Sequence, residues 1–334
     1  MKRIYLVIIL VVVAIIGVEF FVLADSKKEK PQDPLKVLWA GNYAKEKEKW
    51  WKDINKYGTI RAYEIFKEDA GGKSAGIQHT LAHIFGELVY KKEGMAGIKL
   101  CDVTFSYGCY HSLAGKAIIE HSLSAVKDLD RECFAVKDAS PLGCLHGIGH
   151  GILGYVGYGR LNDALEACKE TSWTGPLGGC PGGVFMEYNF HTMESIEGTK
   201  LRKPDGEDVY EPCTSLPERF KQECFYNQAQ WWIDLNSKDY SKVGALCDAV
   251  SNKVEREACL RGLGDGIVGR TDHNPALAVA ACKTLASPRS ELLCREGAYR
   301  VVFASIKTRS EAPQLCEGLS GEYLKLCSTE FDLK

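Results

Sequence analysis

Five of the eight histidines in the chain stand at spacings that suit a shared metal ion. His79-Thr-Leu-Ala-His83 and His146-Gly-Ile-Gly-His150 are both HxxxH pairs. Residues four apart fall one turn apart on the same helix face, so each pair can present two imidazoles to one ion. Neutral imidazole suits Zn, Fe, Cu or Ni, and Zn or Fe is the expected cofactor. His111 falls between the pairs and supplies a fifth ring. Glu87 and Glu187 are the candidates for a carboxylate ligand or a catalytic base. Neither pair has the glutamate of HExxH, so the pattern is not that of a zincin protease. The competing structural explanation is that these histidines hydrogen-bond to neighbouring carbonyls or carboxylates.

The elements that position them are read from the fourteen cysteines. These fall in seven pairs: Cys101 with Cys109, Cys133 with Cys144, Cys168 with Cys180, Cys213 with Cys224, Cys247 with Cys259, Cys282 with Cys294, and Cys316 with Cys327. Within pairs the spacings are 8, 11, 12, 11, 12, 12 and 11, and the first members recur at intervals of 32, 35, 45, 34, 35 and 34. A period of about 34 residues is the mark of stacked helical hairpins. The first cysteine closes a helical pattern, as in Leu161-Asn-Asp-Ala-Leu-Glu-Ala-Cys168, and the second opens the next. A disulfide within each pair would staple the two helices. Sequence alone leaves other connectivities open. Ile65 and Ile77 look like apolar stand-ins for a pair in an earlier, eighth unit. Residues 36–58, with Trp50 and Trp51, form the expected entry helices. The expectation is an all-α solenoid of about eight hairpins over residues 36–334. It has a histidine-bearing half at 36–187, an insertion loop able to act as a lid at 188–212, and C-terminal repeats at 213–334.

Counting from the second cysteine of each repeat aligns the histidines. The second position reads His79, His111, His146, Gly182, Tyr226, Arg261, Glu296; the sixth reads His83, Gly115, His150, Met186, Gln230, Asp265, Arg300. Both positions share a helix face that is polar in nearly every repeat. That face is expected to line the concave side of the solenoid, away from the core. Tyr226, Gln230, Arg261, Asp265, Glu296 and Arg300 then become groove residues, the charged ones forming an inter-repeat ionic ladder. His121, His191 and His273 fall off both columns and are expected at the surface or in loops.

This architecture resembles the Sel1/TPR class of helical repeats, especially its cysteine-rich bacterial members, over most of residues 36–334. The resemblance is one of architecture. Consensus positions and cysteine spacing differ, so it implies stacked hairpins and carries no substrate.

The amino terminus and the cysteines bear on the compartment. Ile4 to Leu23 is an apolar run broken only by Gly17 and Glu19 and preceded by Lys2 and Arg3. It is long enough to span a bilayer, and residues 1–24 are expected to be a signal anchor, or a cleaved signal if processing follows Ala24. Residues 25–35 form a polar linker. Disulfides require an oxidising compartment, which puts the ectodomain outside the cytoplasm and the N-terminus inside it. The net charge of -2 offers no basic excess for nucleic acid. No P-loop or CxxCH haem motif occurs. The leading expectation is therefore a membrane-anchored extracytoplasmic metalloprotein, with hydrolase or oxygenase-like chemistry in reach. The alternatives are a scaffold that binds a protein or peptide in its groove, and a metal or haem carrier or sensor. Oligomeric state has no signature in the sequence.

Overall fold

In the computed structural model the described residues are 34–73, 75–135, 141–193, 200–204, 206, 208–304 and 308–330. The expected membrane helix at residues 4–23 and the linker up to residue 33 lie outside them. Among the described residues no helix is long and apolar enough to cross a membrane. Fourteen α-helices and no strand occur there. The chain divides after residue 44, and residues 45–334 form one compact unit.

Residues 45–57 of helix α1 (Pro34–Tyr57) begin that unit, followed by α2 (Thr59–Ala70) and α3 (Ala75–Glu93). The longer helices α3, α4 (Gly108–His121), α6 (Leu142–Val156), α8 (Gly179–Phe190), α9 (Glu218–Leu235), α11 (Lys253–Arg270) and α13 (Pro288–Ala304) pack each against the next in one row. Shorter elements flank the row: 3₁₀ segments Gly94–Leu100 and Arg309–Cys316, and helices α5 (Ala125–Phe134), α7 (Leu161–Ala167), α10 (Tyr240–Asp248) and α12 (Pro275–Cys282). Helix α14 (Gly321–Glu330) closes the described chain.

All seven expected disulfides form, and no cysteine is free. Cys101 bonds to Cys109, Cys133 to Cys144, Cys168 to Cys180, and Cys213 to Cys224. Cys247 bonds to Cys259, Cys282 to Cys294, and Cys316 to Cys327. The second cysteines Cys109, Cys144, Cys180, Cys224, Cys259 and Cys294 all lie on row helices, in α4, α6, α8, α9, α11 and α13. Each of these six staples ties a flanking element or turn to the row, and Cys327 ties the last 3₁₀ segment to α14. Closing a loop of this length stabilises the hairpin by about 3 kcal/mol in the chain-entropy account. The pairing fits a helical-repeat architecture and an oxidising, extracytoplasmic environment.

The row helices approach to backbone contact through glycines one residue beyond the first histidine column. A Cβ on Gly147 would stand 2.8 Å from Tyr110; on Gly183, 1.9 Å from the His146 carbonyl; on Gly262 and Gly297, 1.9 Å from the carbonyls of Tyr226 and Arg261. Glycine costs about 1 kcal/mol against alanine inside a helix. Here it is required because no side chain fits the gap. The close approach brings the two polar columns of neighbouring repeats into side-chain contact.

Three expectations are corrected. The polar face is not an open concave surface: His111, His150, Gln230 and Glu296 are buried, and His79, His83, His146, Tyr226, Arg261 and Asp265 are half-buried. Residues on it satisfy one another across repeats, which is what permits burial. Tyr226 donates to Asp265 at 2.6 Å and Arg261 to Glu296 at 2.7 Å across repeats, while Arg300 donates to Glu296 at 2.8 Å within one helix, so of the expected ionic ladder Arg261–Glu296 is the rung between repeats. Ile65 and Ile77 do not replace a staple, since Ile77 is exposed. That first hairpin is held by an aromatic cluster instead, with Phe66 against Trp50 at 5.1 Å and Phe85 at 4.7 Å between centroids. The insertion is not a free lid in its described part. Arg202 is buried over the Trp231 ring at 3.8 Å and bonded to Asn189 at 3.2 Å, while Trp231 donates to the Arg202 carbonyl at 3.0 Å.

Candidate metal centre

The five column histidines gather on three successive row helices, α3, α4 and α6. Their nitrogens form two sets that each could hold an ion: His79, His83 and His111, and His111, His146 and His150. Within each set the ligand atoms lie within 4.8 Å of one another. His79 Nε2 is 3.1 Å from His83 Nε2, His83 Nε2 is 3.3 Å from His111 Nδ1, and His146 Nε2 is 3.0 Å from His150 Nε2. Four nitrogens around a tetrahedral Zn at about 2.0–2.1 Å would be spaced by about 3.3 Å. The pairs already stand near that spacing.

The second ring nitrogens of His79 and His150 are fixed. His79 Nδ1 lies 3.0 Å from the Phe105 carbonyl, which can only accept, so Nδ1 carries the proton and Nε2 keeps its lone pair. His150 Nδ1 lies 2.8 Å from Glu187 Oε2. Glu187, wholly buried, also accepts from Tyr158 Oη at 2.5 Å and from the backbone N–H groups of Thr192 and Met193 at 3.0 and 2.9 Å. Burial pushes its carboxyl up, but bonds from His150, Thr192 and Tyr158 together hold it below the ordinary value. It therefore stays anionic and orients His150. A carboxylate or carbonyl behind each ligating imidazole is the usual support of a metal site.

The Phe105 carbonyl is aimed by a costly turn. Phe105, Ser106 and Tyr107 all have φ between 54° and 65°, three consecutive non-glycine residues in the left-handed region. Each costs about 1 kcal/mol or more, and such strain collects at functional sites. The turn also sets the Tyr107 ring 5.9 Å from His146.

Desolvation lowers the pKa values of His79, His83, His111 and His146, the last three well below the ordinary value. Nearby imidazoles push in the same direction. Burial thus favours the neutral form of these four imidazoles, the protonation state a metal requires.

Glu87, offered above as a ligand or base, is instead paired with Lys47 at 2.5 Å and Lys116 at 3.6 Å, outside both triads. His121, His191 and His273 also lie outside them, with His191 stacked on Tyr158 at 3.8 Å. Glu223 is a carboxylate beside the site that the columns did not flag, one residue before Cys224. Gly182 occupies the second-position column, and the space its missing Cβ leaves is bordered by Glu223 Oε1 at 2.8 Å and His146 Nδ1 at 3.4 Å. Burial raises the Glu223 carboxyl to about 7, against the bonds it accepts from Gly178 and Asn227.

Three spellings in the sequence look like catalytic motifs and lack the context. Gly149–Gly154 and Gly264–Gly269 both read GxGxxG but lie inside α6 and α11, with no strand among the described residues before either. A Cβ on Gly149 or Gly264 would strike the carbonyl of Cys180 or Cys294, at 2.1 and 1.8 Å, so these glycines serve helix packing. Gly72-Lys73-Ser74-Ala75-Gly76 reads GxSxG between two helices, and Ser74 is outside the described residues.

The chain matches no protein-family model, no curated protein and no solved structure. The all-helical, disulfide-paired build is compatible with a helical-repeat architecture, and no match identifies Sel1/TPR repeats.

Proposed function

We propose that this chain is a histidine-ligated metalloprotein of an oxidising compartment, tethered to a membrane through residues 4–23, and that zinc is its ion. The observation that carries the proposal is the convergence of Nε2 atoms within each HxxxH pair, at 3.1 and 3.0 Å, with the opposite nitrogens of His79 and His150 tied to an acceptor. Zinc is favoured over iron by the donor set. Non-haem iron sites of the oxygenase type use two histidines and a carboxylate. Neither triad contains a carboxylate, and Glu187 is committed to His150, Tyr158 and the backbone. Three imidazoles with a fourth position left for water match catalytic zinc, which lowers the pKa of that water to about 7 and so supports hydrolysis. The scaffold alternative has less support, because the ladder residues bond to one another.

The test is elemental analysis of protein purified under oxidising conditions without chelator. The proposal expects zinc in at least stoichiometric amount, lost in a variant carrying His79→Ala, His83→Ala, His146→Ala and His150→Ala. Less than about 0.3 metal per chain, unchanged by those substitutions, overturns it.

A further inference from the structure

The five histidines divide into two triads, and one residue belongs to both. We propose that the centre holds two ions, with His111 bridging them through its two ring nitrogens. One ion takes His79 Nε2, His83 Nε2 and His111 Nδ1; the other takes His146 Nε2, His150 Nε2 and His111 Nε2. The inference rests on the metalloprotein reading above and deepens it.

Three observations lead there. The row order puts α4 between α3 and α6, so His111 stands between two HxxxH pairs on opposite neighbours. The ring centroids of His79 and His83 stand 5.2 and 5.4 Å from that of His111, and those of His146 and His150 stand 5.5 and 4.0 Å from it, so each outer pair meets His111 directly. The ligand atoms accordingly fall into two sets of three that meet at His111.

The second observation is the contrast in how the rings are supported. The outer rings His79 and His150 each spend one nitrogen on an oxygen acceptor and keep the other for an ion. His111 has no such acceptor. Its Nδ1 faces another imidazole, His83 Nε2 at 3.3 Å, and its Nε2 is buried without a hydrogen-bond partner. A buried nitrogen left unpaired costs about 1–3 kcal/mol, in a protein where such groups are otherwise satisfied. An ion on each side satisfies both nitrogens at once.

The third is packing. The His111 ring meets His83 edge-on at 5.4 Å and lies 40° from His146 at 5.5 Å between centroids, while its 4.0 Å stack on His150 must open for the in-plane lone pairs of both rings to meet one ion. His111 is 2% exposed. Gly115 and Gly151, next to it on α4 and α6, leave only 3.0 Å between a Cβ on Gly151 and the Gly115 backbone, so the two helices are held at the separation the shared ring needs.

The chemistry balances without a further reagent. When the second ion binds, the His111 ring gives up its remaining N–H proton to solvent and becomes an imidazolate. Each nitrogen then donates one lone pair to one ion, and nothing is oxidised or reduced. The added negative charge, with Glu187 behind His150, offsets part of the charge of two divalent cations in a desolvated site.

The experiment uses the disulfide-intact protein, stripped of metal and titrated with zinc alone by calorimetry, with metal content measured after desalting. Two zinc ions per chain are expected, and one per chain in either pair variant, His79→Ala/His83→Ala or His146→Ala/His150→Ala. One ion per chain in the wild type overturns the two-ion proposal and leaves the metalloprotein reading standing. No ion overturns both. Copper(II) as a spectroscopic probe then tests the bridge in the wild type, which requires no variant to fold. Two copper ions joined by imidazolate couple, so the paramagnetic signal per copper falls as the second equivalent is added. Two ions with uncoupled, additive signals overturn the bridging role of His111.

Discussion

Replacing Glu187 with glutamine separates an orienting carboxylate from a mere filler of the core. The shape is nearly unchanged, but one acceptor oxygen becomes an NH2 donor. Every neighbour of Glu187 in the structure donates to it or needs its charge: His150 Nδ1 at 2.8 Å, Tyr158 Oη at 2.5 Å, and the N–H groups of Thr192 and Met193 at 3.0 and 2.9 Å. Wherever the new NH2 points, at least one donor loses its acceptor, so the metal-free fold loses about 1–3 kcal/mol. His150 then loses its anionic support, and losing the group that holds a ligating imidazole weakens metal binding about 10- to 100-fold. At about 1.4 kcal/mol per decade, that is a further 1.4–2.7 kcal/mol of metal binding energy. Competition against a chelator of known zinc affinity reads the second effect, and thermal unfolding with chelator present reads the first. Glu87→Gln is the control, because Glu87 pairs with Lys47 and Lys116 away from the triads. Zinc affinity of Glu187→Gln within twofold of wild type, or an equal loss in Glu87→Gln, refutes the orienting role.

Three further outcomes follow from the same geometry. Gly183→Ala drives a methyl to within 1.9 Å of the His146 carbonyl and must push α6 and α8 apart. It should cost about 1–3 kcal/mol in urea unfolding and lower zinc retention on the His146 side, whereas Gly269→Ala, with open space around it, should leave zinc retention unchanged. Acidification should destabilise the metal-free protein. His79, His83, His111 and His146 have folded pKa values below the unfolded value of 6.5, so below that pH the unfolded chain binds protons the fold excludes. Each group then removes up to about 1.4 kcal/mol per pH unit, and stability flat between pH 6.5 and 5 would contradict the burial assigned to them. Finally, removing the Cys282–Cys294 disulfide by a double serine substitution should cost about 2–4 kcal/mol in thermal unfolding yet leave zinc content intact, because it staples α12 to α13, several repeats from the histidines.

The cysteines made the fold legible, because a staple placed once per repeat writes the period directly into the chain. The same register exposed the histidine columns, since positions four apart must share a helix face. What the pattern misjudged was burial. A polar stripe ordinarily marks the solvated side of a helix, but here neighbouring stripes pair across glycine contacts and close over one another, as Tyr226 does with Asp265 and His150 with Glu187. The support behind His79 was invisible for a different reason: it is a backbone carbonyl, and the left-handed turn at Phe105–Tyr107 uses no glycine that would announce it. Glu223 was missed because it lies outside both columns and reaches the site only through the gap that Gly182 leaves. Ile65 and Ile77 misled because spacing alone suggested a staple, whereas the hairpin closes on Trp50, Phe66 and Phe85.

The central claim is that imidazoles, not sulfur or carboxylates, hold a metal ion on α3, α4 and α6. X-ray absorption at the zinc edge on the full-length protein tests it most directly. The expected spectrum shows nitrogen or oxygen neighbours at about 2.0–2.1 Å, with the outer scattering of imidazole rings and no sulfur at about 2.3 Å. A sulfur shell, or a zinc signal that survives loss of both HxxxH pairs, would contradict it.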